Sequence, residues 1–303
     1  MKSDLFQIRR SVRNLSALNV KKPLLRLSWK ELRTILNSLN DNPIGFFDSG
    51  VGGVTVFEQV KKLLPNEDYI YFGDTKNMPY GEKTEAQLLE FADNIFKFFE
   101  KQNAKAVVMA CNTTSAIVYE KLKNKYNFKV YPIIQSVAKQ FSELPLKRIG
   151  IFATPATINS HCYQKEILKH NKKMEVVEIS SPQWVRIVED GRENTEFGKQ
   201  AVALKMQEML MFKPDKIVLG CTHYPYLLDI LQKFAPKEMF INPSVEFAKI
   251  IKSDLASKNL LNESQISGIE KFYVSANPEK FQKSASMFYE IKELPMLAEF
   301  QPA

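Results

Sequence analysis

Cysteine and histidine are scarce in this chain of 303 residues, with three of each. No two cysteines stand at Cys-x-x-Cys spacing, which excludes a disulfide framework and a zinc ribbon and leaves each thiol to be explained singly. Long apolar runs are also missing. Nothing approaches the ~18 residues of a membrane-spanning helix, and the amino terminus lacks the apolar core and small-residue cleavage site of a secretory signal. A membrane protein is excluded and a cytoplasmic location is expected. Glycine is limited to 11 residues, far below any low-complexity composition, and three of them stand together in Gly50-Val51-Gly52-Gly53. That run has neither GxGxxG spacing nor a following Walker Lys-Ser/Thr, so a nucleotide-binding loop is a poor reading of it.

Acidic residues are sparse at one end only. Before Pro43, nine Lys and Arg face three acids, whereas from Pro43 onward 33 basic residues face 31 acidic ones. The net charge of +8 therefore belongs mainly to a basic N-terminal extension, and nucleic acid is an unlikely partner for the nearly neutral body. Within the extension, Leu25–Leu39 carries enough apolar residues to predict a short docked helix, with Ser28 and Glu31 as a capping box and Met1–Asn19 mobile.

The body alternates short apolar runs with longer amphipathic stretches, which predicts α/β architecture with parallel sheets covered by helices. Expected strands are 44–47, 69–72, 106–109, 130–134, 148–152, 175–179, 216–219 and 272–274. Expected helices include Thr84–Gln102, Ile158–His170 and Thr195–Phe212, the last burying Phe197, Ala201, Leu204, Met206 and Leu210. Two segments recur in order. Ile44-Gly45-Phe46-Phe47-Asp48-Ser49 resembles Ile149-Gly150-Ile151-Phe152-Ala153-Thr154, and Val107-Val108-Met109-Ala110-Cys111-Asn112-Thr113 resembles Ile217-Val218-Leu219-Gly220-Cys221-Thr222-His223. Nearly equal offsets point to a duplicated unit.

Duplication places Cys111 and Cys221 at the carboxyl ends of equivalent strands, where ligands gather in parallel α/β folds. A buried cysteine is usually a small hydrophobe, and that reading suits Cys162, which has no counterpart. Two equivalent strand-end thiols instead suit inversion of a stereocentre, one removing a proton from one face while the other supplies a proton to the opposite face. Ser49, Asn112, Thr113 and Thr222 offer donors for the charge that develops on the substrate carboxylate. With three histidines and no local Schiff-base lysine motif, neither a metal nor an organic cofactor is expected.

The motifs Phe47-Asp48-Ser49-Gly50-Val51-Gly52-Gly53, Gly73-Asp74, Pro79-Tyr80-Gly81-Glu82-Lys83, Ala110-Cys111-Asn112-Thr113-Thr114-Ser115-Ala116, Thr154-Pro155-Ala156-Thr157 and Gly220-Cys221-Thr222-His223-Tyr224-Pro225 occur in this order. Together they resemble the glutamate racemases of the cofactor-independent Asp/Glu racemase superfamily. The resemblance implies two pseudo-symmetric lobes with the active site between them, one formed by 43–134 plus 246–303 and carrying Cys111, the other by 135–245 and carrying Cys221. It implies Cys111 and Cys221 as the two proton donor/acceptors, Asp48 assisting the first, and His223 with Glu189 assisting the second. Asp48, Ser49, Tyr80, Gly81, Asn112, Thr113, Thr222 and His223 would line the substrate pocket. Glutamate as substrate, D-glutamate supply for peptidoglycan and a homodimer follow from the same likeness. Two departures stand out. Gln135-Ser136 replaces a Glu-Pro pair, and Arg186 brings a positive charge into the segment before Glu189. A different amino acid as substrate, or an idle scaffold working through its basic extension on nucleic acid, are the competing readings.

Overall fold

The computed structural model describes residues 40–298, so the expectations for Met1–Asn19 and Leu25–Leu39 lie outside the described residues. Ten strands form two sheets among the described residues. The larger holds β1 (Ile44–Asp48), β2 (Tyr69–Gly73), β3 (Ala106–Met109), β4 (Lys129–Pro132), β9 (Glu270–Val274) and β10 (Met296–Leu297), ordered β10-β9-β2-β1-β3-β4. The smaller holds β5 (Arg148–Ala153), β6 (Glu175–Ser180), β7 (Lys216–Leu219) and β8 (Phe240–Ile241), ordered β6-β5-β7-β8. Every pairing is parallel.

The order β2-β1-β3-β4 is repeated as β6-β5-β7-β8, and the register repeats with it: Ile44 faces Ala106 as Ile149 faces Lys216. The internal repeat read from the sequence is thus a repeat of structure. The larger sheet adds β9 and β10 beyond β2.

Helices cover both faces of the larger sheet, so its strands are apolar on both sides. Along β1, Phe46 enters one core cluster and Phe47 the other, and both are fully buried. Burying an aromatic or large aliphatic side chain stabilises by ~1.5–3 kcal/mol. Helix α1 (Val54–Leu63) follows β1, and α2 (Glu85–Lys101) follows β2. Thr84 and Gln87 close a capping box at the start of α2, as the expected span Thr84–Gln102 requires.

Several boundaries differ from expectation for local reasons. The strand expected over 130–134 stops at Pro132, which has no N–H for the ladder, and α4 (Ile133–Glu143) begins at once. The helix expected over Ile158–His170 is two helices, α5 (Pro155–Ser160) and α6 (Cys162–His170), broken at His161 with φ 53°. There the Ser160 hydroxyl donates to the Thr157 carbonyl and accepts from the Cys162 N–H, a local competitor for the helical ladder. In α8 (Glu196–Met211) Ala201 and Met206 are buried, but Phe197 is 47% and Leu204 66% exposed, so the apolar residues do not share one core face. The short strands β8 and β10 were not foreseen, since two residues carry no periodicity.

Candidate active site

Helix α3 (Asn112–Ile117) starts directly after β3, and Cys111 is its N-cap residue. Cys221 lies at the corresponding place after β7, and Asp48 ends β1. Glu189 ends α7 (Pro182–Glu189). Cys111 is 4% exposed, Cys221 6%, Asp48 0%, His223 1% and Glu189 6%, so the chemistry-bearing groups are closed off from bulk water.

Burial pushes the Cys111 thiol up to about 12, and the Asp48 carboxylate adds to the rise while hydrogen bonds from Thr114 oppose it. Asp48 is itself raised by burial to about 6, against the opposing influence of His223 and of donors from Gly50 and Thr222. Gly50 N–H donates to Asp48 Oδ1 at 3.0 Å, and the Thr222 hydroxyl donates to Oδ2 at 3.1 Å. On the other side His223 Nδ1 is 3.7 Å from Cys221 Sγ, while its Nε2 is 2.7 Å from Glu189 Oε1. Burial alone would lower the His223 value, but hydrogen bonds with Cys221 and Glu189 carry it well above the ordinary imidazole range. Burial likewise works against the Glu189 carboxylate, and the His223 hydrogen bond overcomes it and lowers the value. Cys221 Sγ thus faces an imidazolium anchored by a carboxylate, whereas the protonated Cys111 thiol faces a carboxylate of raised basicity.

The glycine run explains how these groups come so close. Val51 N–H donates to Glu189 Oε1 at 3.2 Å, so the loop after β1 holds a side chain of the opposite lobe. A Cβ on Gly52 would stand 2.5 Å from Thr222 Oγ1 and 2.6 Å from His223 Nδ1, and one on Gly50 would strike Glu189 Oε1. Glycine is needed here for close approach.

Other expected pocket residues fall into two groups. Asn112, Thr113 and Ser49 are buried at the strand ends. The Tyr163 hydroxyl donates to Asn112 Oδ1 at 2.7 Å, which turns the amide N–H groups of Asn112 away from Tyr163. Thr113 Oγ1 is 2.9 Å from Thr154 Oγ1, which is 3.0 Å from Thr157 Oγ1, a hydroxyl chain joining the two lobes. Tyr80 is different: its hydroxyl is committed to Asp74 at 2.5 Å, while Ser275 donates to the other oxygen of Asp74. Gly81 abuts Thr154, where an added Cβ would approach to 2.6 Å. Tyr163, Asp74 and Thr157 shape the site without a sequence signal that says so, although Gly73-Asp74 and Thr154-Pro155-Ala156-Thr157 stand among the motifs.

The two departures are resolved locally. Arg186 does not reach Glu189; it pairs with Glu82 across the cleft rim at 2.7 Å, because Glu82 is the exposed carboxylate facing it. Gln135 accepts from the Ser115 hydroxyl at 2.7 Å and donates to the Ser115 carbonyl at 2.8 Å. Its amide also lies 3.5 Å from Cys162 Sγ, so the buried Cys162 has a polar neighbour, contrary to expectation.

The sequence model of the Asp/Glu/Hydantoin racemase family matches residues 50–244. The glutamate racemase of Thermoanaerobacter pseudethanolicus is 37% identical over 251 residues, covering 82% of this chain and 94% of its own length. This chain belongs to the glutamate racemase family. Among solved structures, the glutamate racemase of Francisella tularensis in complex with D-glutamate superposes with a TM-score of 0.77 at 33% identity, over 86% of this chain and 98% of its own. The Bacillus anthracis racemase superposes with a TM-score of 0.76 at 27% identity, over 85% of this chain and 99% of its own. The fold is therefore the racemase fold, with its two groups of parallel strands. Among the described residues no helix is long and apolar enough to cross a membrane.

Proposed function

We propose that this racemase interconverts L- and D-glutamate without a cofactor, by proton transfer at Cα between Cys111 and Cys221. The observation that carries the reading is the placement of two thiols at equivalent strand ends of a repeated fold, each beside its own proton-handling group. Cys221 as thiolate takes the Cα proton of L-glutamate, and the electron pair passes into the substrate carboxylate. Cys111 then gives its S–H proton to the opposite face, leaving D-glutamate, a Cys221 thiol and a Cys111 thiolate; the reverse turnover restores the starting state. Asp48 accepts the proton when Cys111 must ionise, and the His223–Glu189 pair stabilises the Cys221 thiolate. The amide of Asn112 and the hydroxyl of Ser49 face the developing negative charge, while the Thr222 hydroxyl stays on Asp48. Lobe limits at 43–134 plus 246–303 and at 135–245 fit the division of strands between the sheets.

D-Glutamate production fits a cytoplasmic role in peptidoglycan synthesis. A homodimer is supported by the exposed apolar residues Phe197, Leu204 and Met211, spaced by seven on α8. Two copies of this helix packed antiparallel would set Phe197 against the partner's Met211 and the acidic Glu196 end beside the basic Lys213 end. Leu204→Lys should shift sedimentation to the monomer if that pairing exists. The activity itself is tested by glutamate in deuterated water. Loss of optical rotation together with incorporation of deuterium at Cα, without added cofactor, is expected; an unchanged rotation with glutamate, or racemisation only of another amino acid, would refute the assignment.

A further inference from the structure

Tyr226 sits in the 3-10 turn Tyr224–Leu227, three residues beyond His223, and its N–H donates to the His223 carbonyl at 3.1 Å. Its ring packs edge-on against Phe288 at 4.4 Å between centroids. The side chain is 9% exposed, and its hydroxyl is buried without a hydrogen-bond partner. An unpaired buried hydroxyl is costly, so such a group in a folded protein points to a partner that completes it in the working state. The charged groups that bear on Tyr226 are Glu189 and then Asp48, after burial, and all three raise its pKa. Tyr71, whose own hydroxyl donates to the Gly50 carbonyl at 2.8 Å, also feels Tyr226. Glu189 in turn faces His223, Val51 and Lys280. Both hydrogen bonds it makes among the described residues fall on Oε1, from Val51 N–H at 3.2 Å and His223 Nε2 at 2.7 Å, and Oε2 takes none.

We infer that Tyr226 is a positioning residue for the Cys221 side of the site, its hydroxyl donating to Oε2 of Glu189 directly or through one water. The inference rests on the two-thiol reading above. A donor on Oε2 fixes the carboxylate plane, which aims Oε1 at His223 and thereby His223 Nδ1 at Cys221. It also disperses the carboxylate charge and so moderates how tightly His223 holds its proton.

The test uses the full chain with Tyr226→Phe, which keeps the ring against Phe288 and removes only the hydroxyl. Glu189 would become more basic and hold the imidazolium more firmly. The His223 titration, followed by 15N NMR of the labelled ring without substrate, should move to higher pH. The kcat/KM should fall by about ten- to 150-fold, the range expected for one hydrogen bond to a charged group, with the pH limb governed by the His223–Glu189 pair moved in the same direction. Tyr226→Leu, which also loses the packing, should lower Tm in addition. A Tyr226→Phe protein with an unchanged His223 titration and pH profile, or one that merely gains Tm, would overturn the inference. Because the NMR titration needs no turnover, a failure of the glutamate assignment would be seen separately, in the wild-type protein.

Discussion

The two strand-end cysteines occupy corresponding places in sheets of the same strand order, yet their surroundings are unlike. Cys111 has a carboxylate beside it, raised by burial to about 6. Cys221 has an imidazole whose far nitrogen is tied to Glu189. Among the described residues nothing at the Cys111 end matches that dyad, because the residue two beyond Cys111 is Thr113, where the Cys221 end has His223. Duplication has preserved the backbone and the thiol while the proton acceptors diverged. The asymmetry has a thermodynamic limit. L- and D-glutamate have equal free energies in water, so kcat/KM must be the same in both directions for any variant. Divergent acceptors can change only how each direction divides that ratio between kcat and KM.

The hardest way to break the comparison is to remove one thiol at a time. Cys111→Ala and Cys221→Ala should each lower racemisation by at least about a thousand-fold, within the range for loss of an essential acid or base, and equally from either enantiomer. The partial reactions should differ. Cys111→Ala keeps the base on the Cys221 face and should exchange the α-proton of L-glutamate faster than that of D-glutamate, and Cys221→Ala should do the opposite. Cys162→Ala should leave racemisation largely intact. Exchange with the same enantiomer preference in both variants would show that the two thiols do not serve opposite faces.

Replacing the acceptors sharpens the contrast with smaller effects. Asp48→Asn and Glu189→Gln should each reduce kcat by about a hundred-fold, and their pH profiles should diverge. Asp48 is protonated below about pH 6 and then cannot accept the Cys111 proton, so the wild-type rate should fall on the acid side with a midpoint near that value. Asp48→Asn should abolish that limb, and Glu189→Gln should keep it. A limb that survives Asp48→Asn would assign the ionisation elsewhere.

These distinctions separate what the sequence makes legible from what it does not. The repeated β-rich runs make the strand-end positions of Cys111 and Cys221 legible, and the fold has Asp48 at the end of β1 and His223 beside Cys221, because parallel α/β topology brings strand ends together. The capped helix at Thr84 is legible for an equally local reason. Contacts between lobes are not, since no periodicity in either lobe says which groups face one another. Thus Arg186 was assigned near Glu189 from its position in the chain, while the folded protein pairs it with Glu82, 104 residues away. Tyr163 on Asn112 is hidden from the sequence for the same reason. Phe197 and Leu204 show the converse: apolar spacing predicts their burial, and α8 exposes them.

Close approach of the lobes supplies the next prediction. Gly52→Ala would place a methyl 2.6 Å from His223 Nδ1, and the neighbouring Thr222 is equally close, so side chains on both residues must shift. Overpacking of this kind costs ~1–3 kcal/mol. The expected result is a drop in Tm with kcat lowered about ten-fold or more, the loss concentrated in the pH limb of the Cys221 side. An unaffected Gly52→Ala enzyme would mean that the lobes stand further apart during turnover than in the closed form.

The smallest effect is expected at the cleft rim. Arg186 and Glu82 pair at 2.7 Å, with side chains 61% and 45% exposed, and Lys280 meets Asp190 at 3.3 Å nearby. Both pairs join the α7 end, which carries Glu189, to the Cys111 lobe. Exposed ion pairs are worth about 0.2–1 kcal/mol and weaken with salt. The thiols are buried, so substrate entry requires movement around them, and pairs that tie the two lobes together should oppose that movement. Arg186→Ala should therefore raise KM by no more than about five-fold, leave kcat nearly unchanged and lose its effect in high salt. A large fall in kcat would instead mean that Arg186 acts on Glu189 after all, and the rim pair would then be incidental to the chemistry.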